Sequence, residues 1–297
     1  MLVTLNASCR GSEHIKVNKP VQDFSYAGID KNVGYAFVAD GHGGEKYIRS
    51  EYGASYACYC AAEIIVNIRK DFLAEIKRLS NDSVKRKRLV EENLRLMCSK
   101  LSLLWRAKVC SHFEENPLTE TELALCKQAK VVVPIEPDSI PILYGTTLLV
   151  AVYFAQYDFW FSLQIGDGKC ALIKADNSLV YPVPEDESQG FGVTKSLCRK
   201  NAAEDFRYAF GFEKIAGITV MTDGMTDSFD SEKLPDFLLS IKKNALADVD
   251  RTKAELNAFL PTLSAQGSGD DISIAGIFVK EEESCVKSLL NSVTQKK

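Results

Sequence analysis

Histidine is scarce in this sequence of 297 residues: there are three, His14, His42 and His112, far apart along the chain. A zinc site built on imidazoles is therefore disfavoured. The nine cysteines (Cys9, Cys58, Cys60, Cys98, Cys110, Cys126, Cys170, Cys198 and Cys285) contain no C-x-x-C pair, which argues against zinc ribbons and thioredoxin-like redox motifs. Their odd number and scattered spacing fit a reducing cytoplasm better than an oxidising compartment. None has an arginine six positions on, so a thiol phosphatase loop is not expected; Cys58 and Cys60, in an Ala/Tyr-rich helical stretch, read as packing residues. Positive charge is not in excess either: 36 Lys and Arg stand against 40 Asp and Glu, a net charge of −4. That is a poor match for nucleic acid, and the run Lys85-Arg86-Lys87-Arg88, beside Glu91 and Glu92, reads as a solvated helix face. The opening residues lack a basic segment and a long apolar core, so no signal peptide is expected. The longest uncharged run, residues 139–157, holds Pro141, Gly145 and Gln156 and reads as a buried strand after a turn, not a membrane span. The expectation is a cytoplasmic protein without membrane or nucleic-acid partners.

What is present is ordinary for a globular protein: 46% hydrophobic, 26% charged and 9% aromatic residues. Two helices are marked by apolar residues stepping by three and four: Ile65, Ile68, Phe72, Ile76 and Leu79, then Val90, Leu94, Met97, Leu101 and Leu104. Asn81-Asp82-Ser83 separates them and can cap the second, so residues ~45–112 should form an antiparallel helical pair. Residues 33–39, 147–154, 159–165, 170–173, 217–221 and 272–279 read as strands, mostly consecutive and therefore antiparallel. A helix is expected over residues 231–242 and a surface helix in the Lys/Glu/Ser-rich tail. Residues ~182–212, rich in Pro, Gly and polar side chains, read as an irregular surface excursion.

The informative feature is where the aspartates fall. Asp40 follows a strand and precedes Gly41; Asp167 lies between Gly166 and Gly168; Asp223 follows a strand and precedes Gly224. Asp270 and Asp271 precede the last strand, and Asp23 sits at a strand edge. Loops at strand ends are where a rigid sheet presents chemistry. Converging carboxylates repel one another and either take up protons or bind cations. An all-oxygen set suits hard ions, Mg²⁺ or Mn²⁺, and two such ions can activate water and clamp a phosphoryl group. An isolated Asp-Gly is most often only a turn; the pattern gains its meaning from repetition.

The segment Asp40-Gly41-His42-Gly43-Gly44 after an apolar strand resembles the first signature of the metal-dependent serine/threonine protein phosphatases of type 2C. The remaining pieces occur in that family's order: Gln22-Asp23, Gly145-Thr146-Thr147, Ile165-Gly166-Asp167, Thr222-Asp223-Gly224 with Asp227, and Asp270-Asp271-Ile272-Ser273. The opening, from Arg10-Gly11-Ser12 through His14, is most similar to the bacterial branch. The resemblance implies an α+β fold, a four-layer α/β/β/α sandwich of two antiparallel sheets flanked by helix pairs, with residues 1–297 as one catalytic domain and 182–212 as a flap. It implies two Mn²⁺ or Mg²⁺ ions and a possible third. Asp40 would bridge two ions with the Gly41 carbonyl on the second. Asp223 and Asp270 would hold the first, Asp23 would bind through water, and Asp167, Asp223 and Asp227 would form the third, weaker site. His42 would be the general acid, with Asp40 and Asp223 as the core of the catalytic set. The implied substrates are phosphoserine and phosphothreonine proteins, with a cognate kinase as functional partner, hydrolysed by metal-activated water without a covalent phospho-enzyme.

Three departures stand out. Asn18 occupies the position of a phosphate-gripping arginine, for which Arg10, Lys16 or Lys19 could substitute. Gln22 replaces a glutamate of some members, and Gly168 stands where serine is frequent. The first two motivate an alternative, a phosphatase-like scaffold that binds phosphoproteins or senses metal without turnover. His14 and His112 lack an acid-glycine context and read as structural or solvent-facing.

Overall fold

The structure, a computed structural model, describes residues 1–79, 81–185 and 194–280, the side chains of residues 68–71 aside. The N-terminal part contains β1 (Leu2–Cys9), the short α1 (Ser12–Lys16), β2 (Phe24–Asp30) and β3 (Val33–Ala39). The helical section follows: α2 (Ser50–Arg78), α3 (Ser83–Glu115), α4 (Glu120–Gln128) and α5 (Ile140–Leu143). Then come β4 (Leu148–Phe154), β5 (Phe159–Ile165), β6 (Lys169–Lys174), β7 (Leu179–Val180), α6 (Ala202–Asp205) and β8 (Arg207–Phe212). The chain closes with β9 (Ile215–Met221), α7 (Asp223–Asp227), α8 (Leu234–Ala247), α9 (Val249–Gln266) and β10 (Ile272–Val279).

Two five-stranded antiparallel sheets result, ordered β1-β10-β9-β6-β7 and β2-β3-β4-β5-β8. The alternation of side chains along a strand sorts residues between layers. In β3, Ala36 and Val38 enter the seam between the sheets, whereas Phe37 and Ala39 face the helices. In β4, Leu149, Ala151 and Tyr153 face the seam, and Leu148, Val150 and Val152 the helices. Both faces being covered, every residue of β4 and β5 is buried. α2 and α3 cover this sheet, with Ile65, Phe72, Ile76, Val90, Leu94, Met97, Leu101 and Trp105 in the shared core. The Asp82 carboxyl caps α3 by accepting the Lys85 N–H at 3.0 Å. On the other sheet, α8 and α9 pack Leu234, Leu238, Ile241, Leu256 and Leu260 over Leu5, Ala7, Met221 and Ile274. The architecture is the expected four-layer α/β/β/α sandwich.

Several elements depart from the sequence reading. Part of the excursion at 182–212 is regular: β8 pairs with β5 from Phe159↔Phe212 to Gln164↔Arg207, preceded by a turn of helix in α6. Aromatic packing offsets its poor local propensity, since Phe212 stacks on Phe159 with centroids 4.8 Å apart. α9 and α4 form where no helix was expected. The helix expected at 231–242 runs instead over Leu234–Ala247. Residues 186–193 of the excursion, and the tail in which a helix was expected, with Cys285, lie outside the described residues. Among the described residues no helix is long and apolar enough to cross a membrane. Cys9, Cys58, Cys60, Cys98, Cys126 and Cys170 are buried, and burial pushes their thiols up, as packing cysteines require.

Candidate metal centre

Three aspartates meet at one end of the sandwich. Asp40 directly follows β3, Asp167 lies in the β5–β6 loop, and Asp223 begins α7 two residues past the end of β9. One carboxylate oxygen from each lies within 4.8 Å of the other two. Oδ2 of Asp167 accepts the Thr194 hydroxyl at 2.7 Å, whereas its Oδ1 is buried and has no hydrogen-bond partner among the described residues. A buried carboxylate oxygen left without a donor, beside two further carboxylates, is suited to a cation.

The backbone around these residues is tightly braced. The Asp40 carbonyl accepts the Thr147 N–H at 2.8 Å and the Thr146 hydroxyl at 2.9 Å, and the Asp40 N–H donates to Thr147 Oγ1 at 3.0 Å. Gly145-Thr146-Thr147 thus serves as a clamp on Asp40. The Gly41 N–H donates to the Gln22 carbonyl at 3.2 Å. A Cβ on Gly41 would stand 2.4 Å from that carbonyl oxygen and 2.8 Å from that of Ser50, so this position has no room for a side chain. The Asp167 loop is held from outside, with Arg207 donating to the carbonyls of Gly166 at 2.5 Å and Pro184 at 2.6 Å. Gly168, where a serine was the more familiar residue, lies so close to the Met221 carbonyl that a Cβ would be 2.4 Å away.

The other aspartates surround this trio at different depths. Asp23 is buried and accepts the Thr222 hydroxyl at 2.8 Å. Burial, then the charge of Asp271, pushes its carboxyl well above the ordinary range. Burial, then Asp23, Asp223, Asp270 and Asp167, does the same to Asp40. Asp223 is pushed up to about 7 by burial, then by Asp167 and Asp270. Asp270 and Asp227 are exposed and outside the close-set trio, although both weigh electrostatically on Asp223. The trio is therefore Asp40, Asp167 and Asp223, with Asp270 beside it. Such mutual elevation of carboxyl pKa values marks a site whose charge calls for cations.

Asp271, to which the sequence reading gave no role, holds the loops in place. Its buried carboxylate accepts the N–H groups of Gly11 and Gln22, each at 2.6 Å, and lies 2.9 Å from His14 Nδ1. Burial opposes ionisation, but these donors hold the carboxyl below the ordinary range. The bond to Asp271 in turn raises the His14 imidazole. The available signal was the adjacent acid pair before a strand, because period two sends one of two neighbours inward. His14 also faces Asp270, 3.8 Å from its Nε2, so His14, Asp270 and Asp271 form a second close-set group, whereas His112 Nδ1 lies 2.7 Å from the Tyr144 hydroxyl.

His42 is half-buried at the rim. Its N–H donates to the Gly145 carbonyl at 3.0 Å, and its ring lies 4.7 Å from the Tyr47 ring. Burial lowers its pKa, against the pull of the Asp167 charge. Of the three basic candidates, Arg10 donates to the His14 carbonyl at 3.1 Å and Lys16 pairs with Glu13 at 2.5 Å. Lys19 reaches the Gly43 carbonyl, in the same loop as His42. Asn18 sits in a left-handed conformation at φ 54°. The Gln22 amide donates to the Ser50 hydroxyl at 2.5 Å and to the His42 carbonyl at 3.2 Å.

The sequence profile described as Protein phosphatase 2C matches residues 10–261. No curated protein matches the chain by sequence. Among solved structures, the Mycobacterium tuberculosis serine/threonine phosphatase PstP/Ppp superposes with a TM-score of 0.54 at 13% identity, covering 94% of this chain and 99% of that one. A bacterial serine phosphatase superposes at 0.53 and 12% identity, covering 95% and 100%. PppA of Pseudomonas aeruginosa, a regulatory component of T6SS, superposes at 0.50 and 14% identity, covering 93% and 97%. At these identities the superpositions speak for the fold.

Proposed function

The chain belongs to the protein phosphatase 2C family of metal-dependent serine/threonine protein phosphatases, and from that premise we propose that it hydrolyses phosphoserine and phosphothreonine in proteins. The observation that carries this reading is the approach of Asp40, Asp167 and Asp223 to within 4.8 Å of one another. These three carboxylates would hold Mn²⁺ or Mg²⁺, with Asp270, Asp23 and Asp227 close enough to contribute charge or order water, and the Gly41 carbonyl in the same loop. When bound, such ions neutralise phosphoryl charge and activate water at neutral pH.

The chain's own groups do the rest. Lys19, poised over the Gly43 carbonyl, is the cation we assign to the substrate phosphate in place of Asn18. His42 gives a proton to the departing serine or threonine oxygen. Burial makes its imidazolium a stronger acid than usual, which favours that transfer once the ring is protonated. Tyr47 packs against the ring, and the backbone bond to the Gly145 carbonyl fixes the main chain that carries it. The braced Asp40 backbone keeps the carboxylates from spreading apart under their mutual repulsion.

The test is turnover of phosphoserine and phosphothreonine peptides with Mn²⁺ or Mg²⁺, before and after chelation. Activity should vanish with chelator and fall at least about 100-fold in Asp40→Asn and Asp223→Asn, as loss of a transition-state charge stabiliser requires. Lys19→Ala should raise KM about tenfold with kcat less affected, whereas Lys16→Ala should change neither. Activity indifferent to chelator would remove the metal chemistry. Calorimetric Mn²⁺ binding with no turnover on any phosphopeptide would make the chain a scaffold; Gln22 and Asn18 are the residues that favour that second reading.

A further inference from the structure

Beside the metal centre lies an open cleft whose charge is opposite to that of its neighbour. Among the described residues lining it are four cations, Lys46, Arg106, Arg199 and Lys200, and one carboxylate, Asp138. The chain as a whole is acidic, at −4, so this concentration is local. Lys46, Arg199 and Lys200 are exposed. Asp138 lies 3.5 Å from Arg106 and 4.0 Å from Lys200, and Arg199 lies 3.1 Å from Asp205. Cations therefore remain in excess over the carboxylates that face them.

We propose that this cleft docks acidic residues flanking the phosphorylated residue of a protein substrate, an inference that rests on the phosphatase reading above. His42 and Thr194 line the cleft, and Thr194 donates to Asp167, so the cleft and the metal centre share a wall. A chain whose phosphate enters the centre can continue past His42 into the cleft. The cations are also held in register with the centre. The Thr146 carbonyl accepts the Ser196 hydroxyl at 2.9 Å and the Leu197 N–H at 3.0 Å, while the Thr146 hydroxyl bonds the Asp40 carbonyl. Arg199 and Lys200 follow directly on that anchored segment. Cations cannot serve the metal ions, and the aspartates would repel an acidic chain; local positive charge offsets that repulsion for the flanking residues within a Debye length.

The experiment compares two phosphoserine peptides, one flanked by three aspartates and one by three lysines, with p-nitrophenyl phosphate as a substrate that carries no flanking residues for Arg199 and Lys200 to hold. The wild type should favour the acidic peptide about five- to tenfold in kcat/KM at low salt, a ratio set by a few exposed ion pairs and shrinking as salt rises. Lys200→Glu and the double variant Arg199→Ala/Lys200→Ala should erase that preference and leave p-nitrophenyl phosphate turnover unchanged. Equal turnover of both peptides by the wild type, or a variant that slows all three substrates alike, overturns the proposal. Absence of turnover of all three substrates by the wild type instead overturns the phosphatase reading. Fluorescence anisotropy with the unphosphorylated acidic peptide then still tests the cleft: binding weakened by Lys200→Glu supports it. Tighter binding of a single-stranded oligonucleotide than of the peptide overturns it.

Discussion

His14 and Asp271 meet through a 2.9 Å contact between Nδ1 and Oδ1, joining the short helix after the first strand to the start of the last one. The same carboxylate receives two backbone N–H groups. Its exposed neighbour Asp270 accepts one backbone N–H, that of Asp271 at 2.8 Å, and lies 3.8 Å from His14 Nε2 at the surface. Asp271→Ala should therefore cost about 3 kcal/mol, because three donors lose a charged acceptor in a buried place. Asp270→Ala should leave thermal stability within about 0.5 kcal/mol of wild type and weaken Mn²⁺ binding instead. Paired thermal melts and calorimetry on the two variants separate these outcomes.

Thr147 offers a second separation of structure from chemistry. Its hydroxyl accepts the Asp40 N–H, and valine preserves its shape without the acceptor. Thr147→Val should destabilise the fold by about 1–2 kcal/mol, the cost of a buried donor left without its partner, and lower Mn²⁺ affinity by loosening Asp40. Denaturant melts give the first value and calorimetric titration the second.

The crowding of carboxylates implies that the metal-free protein carries a stability penalty. Asp223→Asn removes one charge from the trio, so the metal-free variant should be more stable than metal-free wild type by about 1 kcal/mol. Mn²⁺ should raise the melting temperature of the wild type through linkage and have little effect on the variant. A variant less stable than wild type in the absence of metal would contradict the repulsion.

On the helical side, Arg49 holds Glu122 through contacts of 2.6 and 3.0 Å. Burial pushes the Glu122 carboxyl up, but Arg49 and the Thr119 cap outweigh it and bring it down to about 2. A depressed carboxyl stabilises the fold fully above its unfolded pKa of ~4.3 and loses that contribution as pH falls through the folded value. The stability gap between wild type and Glu122→Gln should be about 1–2 kcal/mol at pH 6, discounted for partial solvent contact, and should close toward pH 2. Urea melts across that range measure it.

For His42, the sensitivity should depend on the leaving group. p-Nitrophenolate departs without a proton, whereas a serine alkoxide needs one. His42→Ala should therefore lower turnover of a phosphoserine peptide about 100-fold and that of p-nitrophenyl phosphate about tenfold or less. Equal losses on both substrates would deny His42 the role of acid.

The parts of the fold that were legible in the sequence are those where one physical demand acts alone. Val90, Leu94, Met97 and Leu101 follow helical spacing because a single face is buried. The continuous apolar runs of β4 and β5 follow from burial on both faces. α9 was missed because its buried face includes Thr252 and Ser264 and the helix contains Pro261, which dilute the apolar signal. β8 was missed because its pairing partner, β5, supplies the stability that its own flanks do not. Asp40, Asp167 and Asp223 stood out by their glycine neighbours; Asp271 did not, since its partners Gly11, His14 and Gln22 come from 249 to 260 positions away. Asp23 was marked by position, but the Thr222 hydroxyl that orients it is 199 residues distant.

Asp40 leaves one sheet, Asp223 leaves the other, and Asp167 lies on the passage from the first to the second. An ion gripped by all three would act as a rivet through both halves of the sandwich. Sliding one half past the other by a single residue, about 3.3 Å, would tear the rivet out, so loading the centre should slow unfolding.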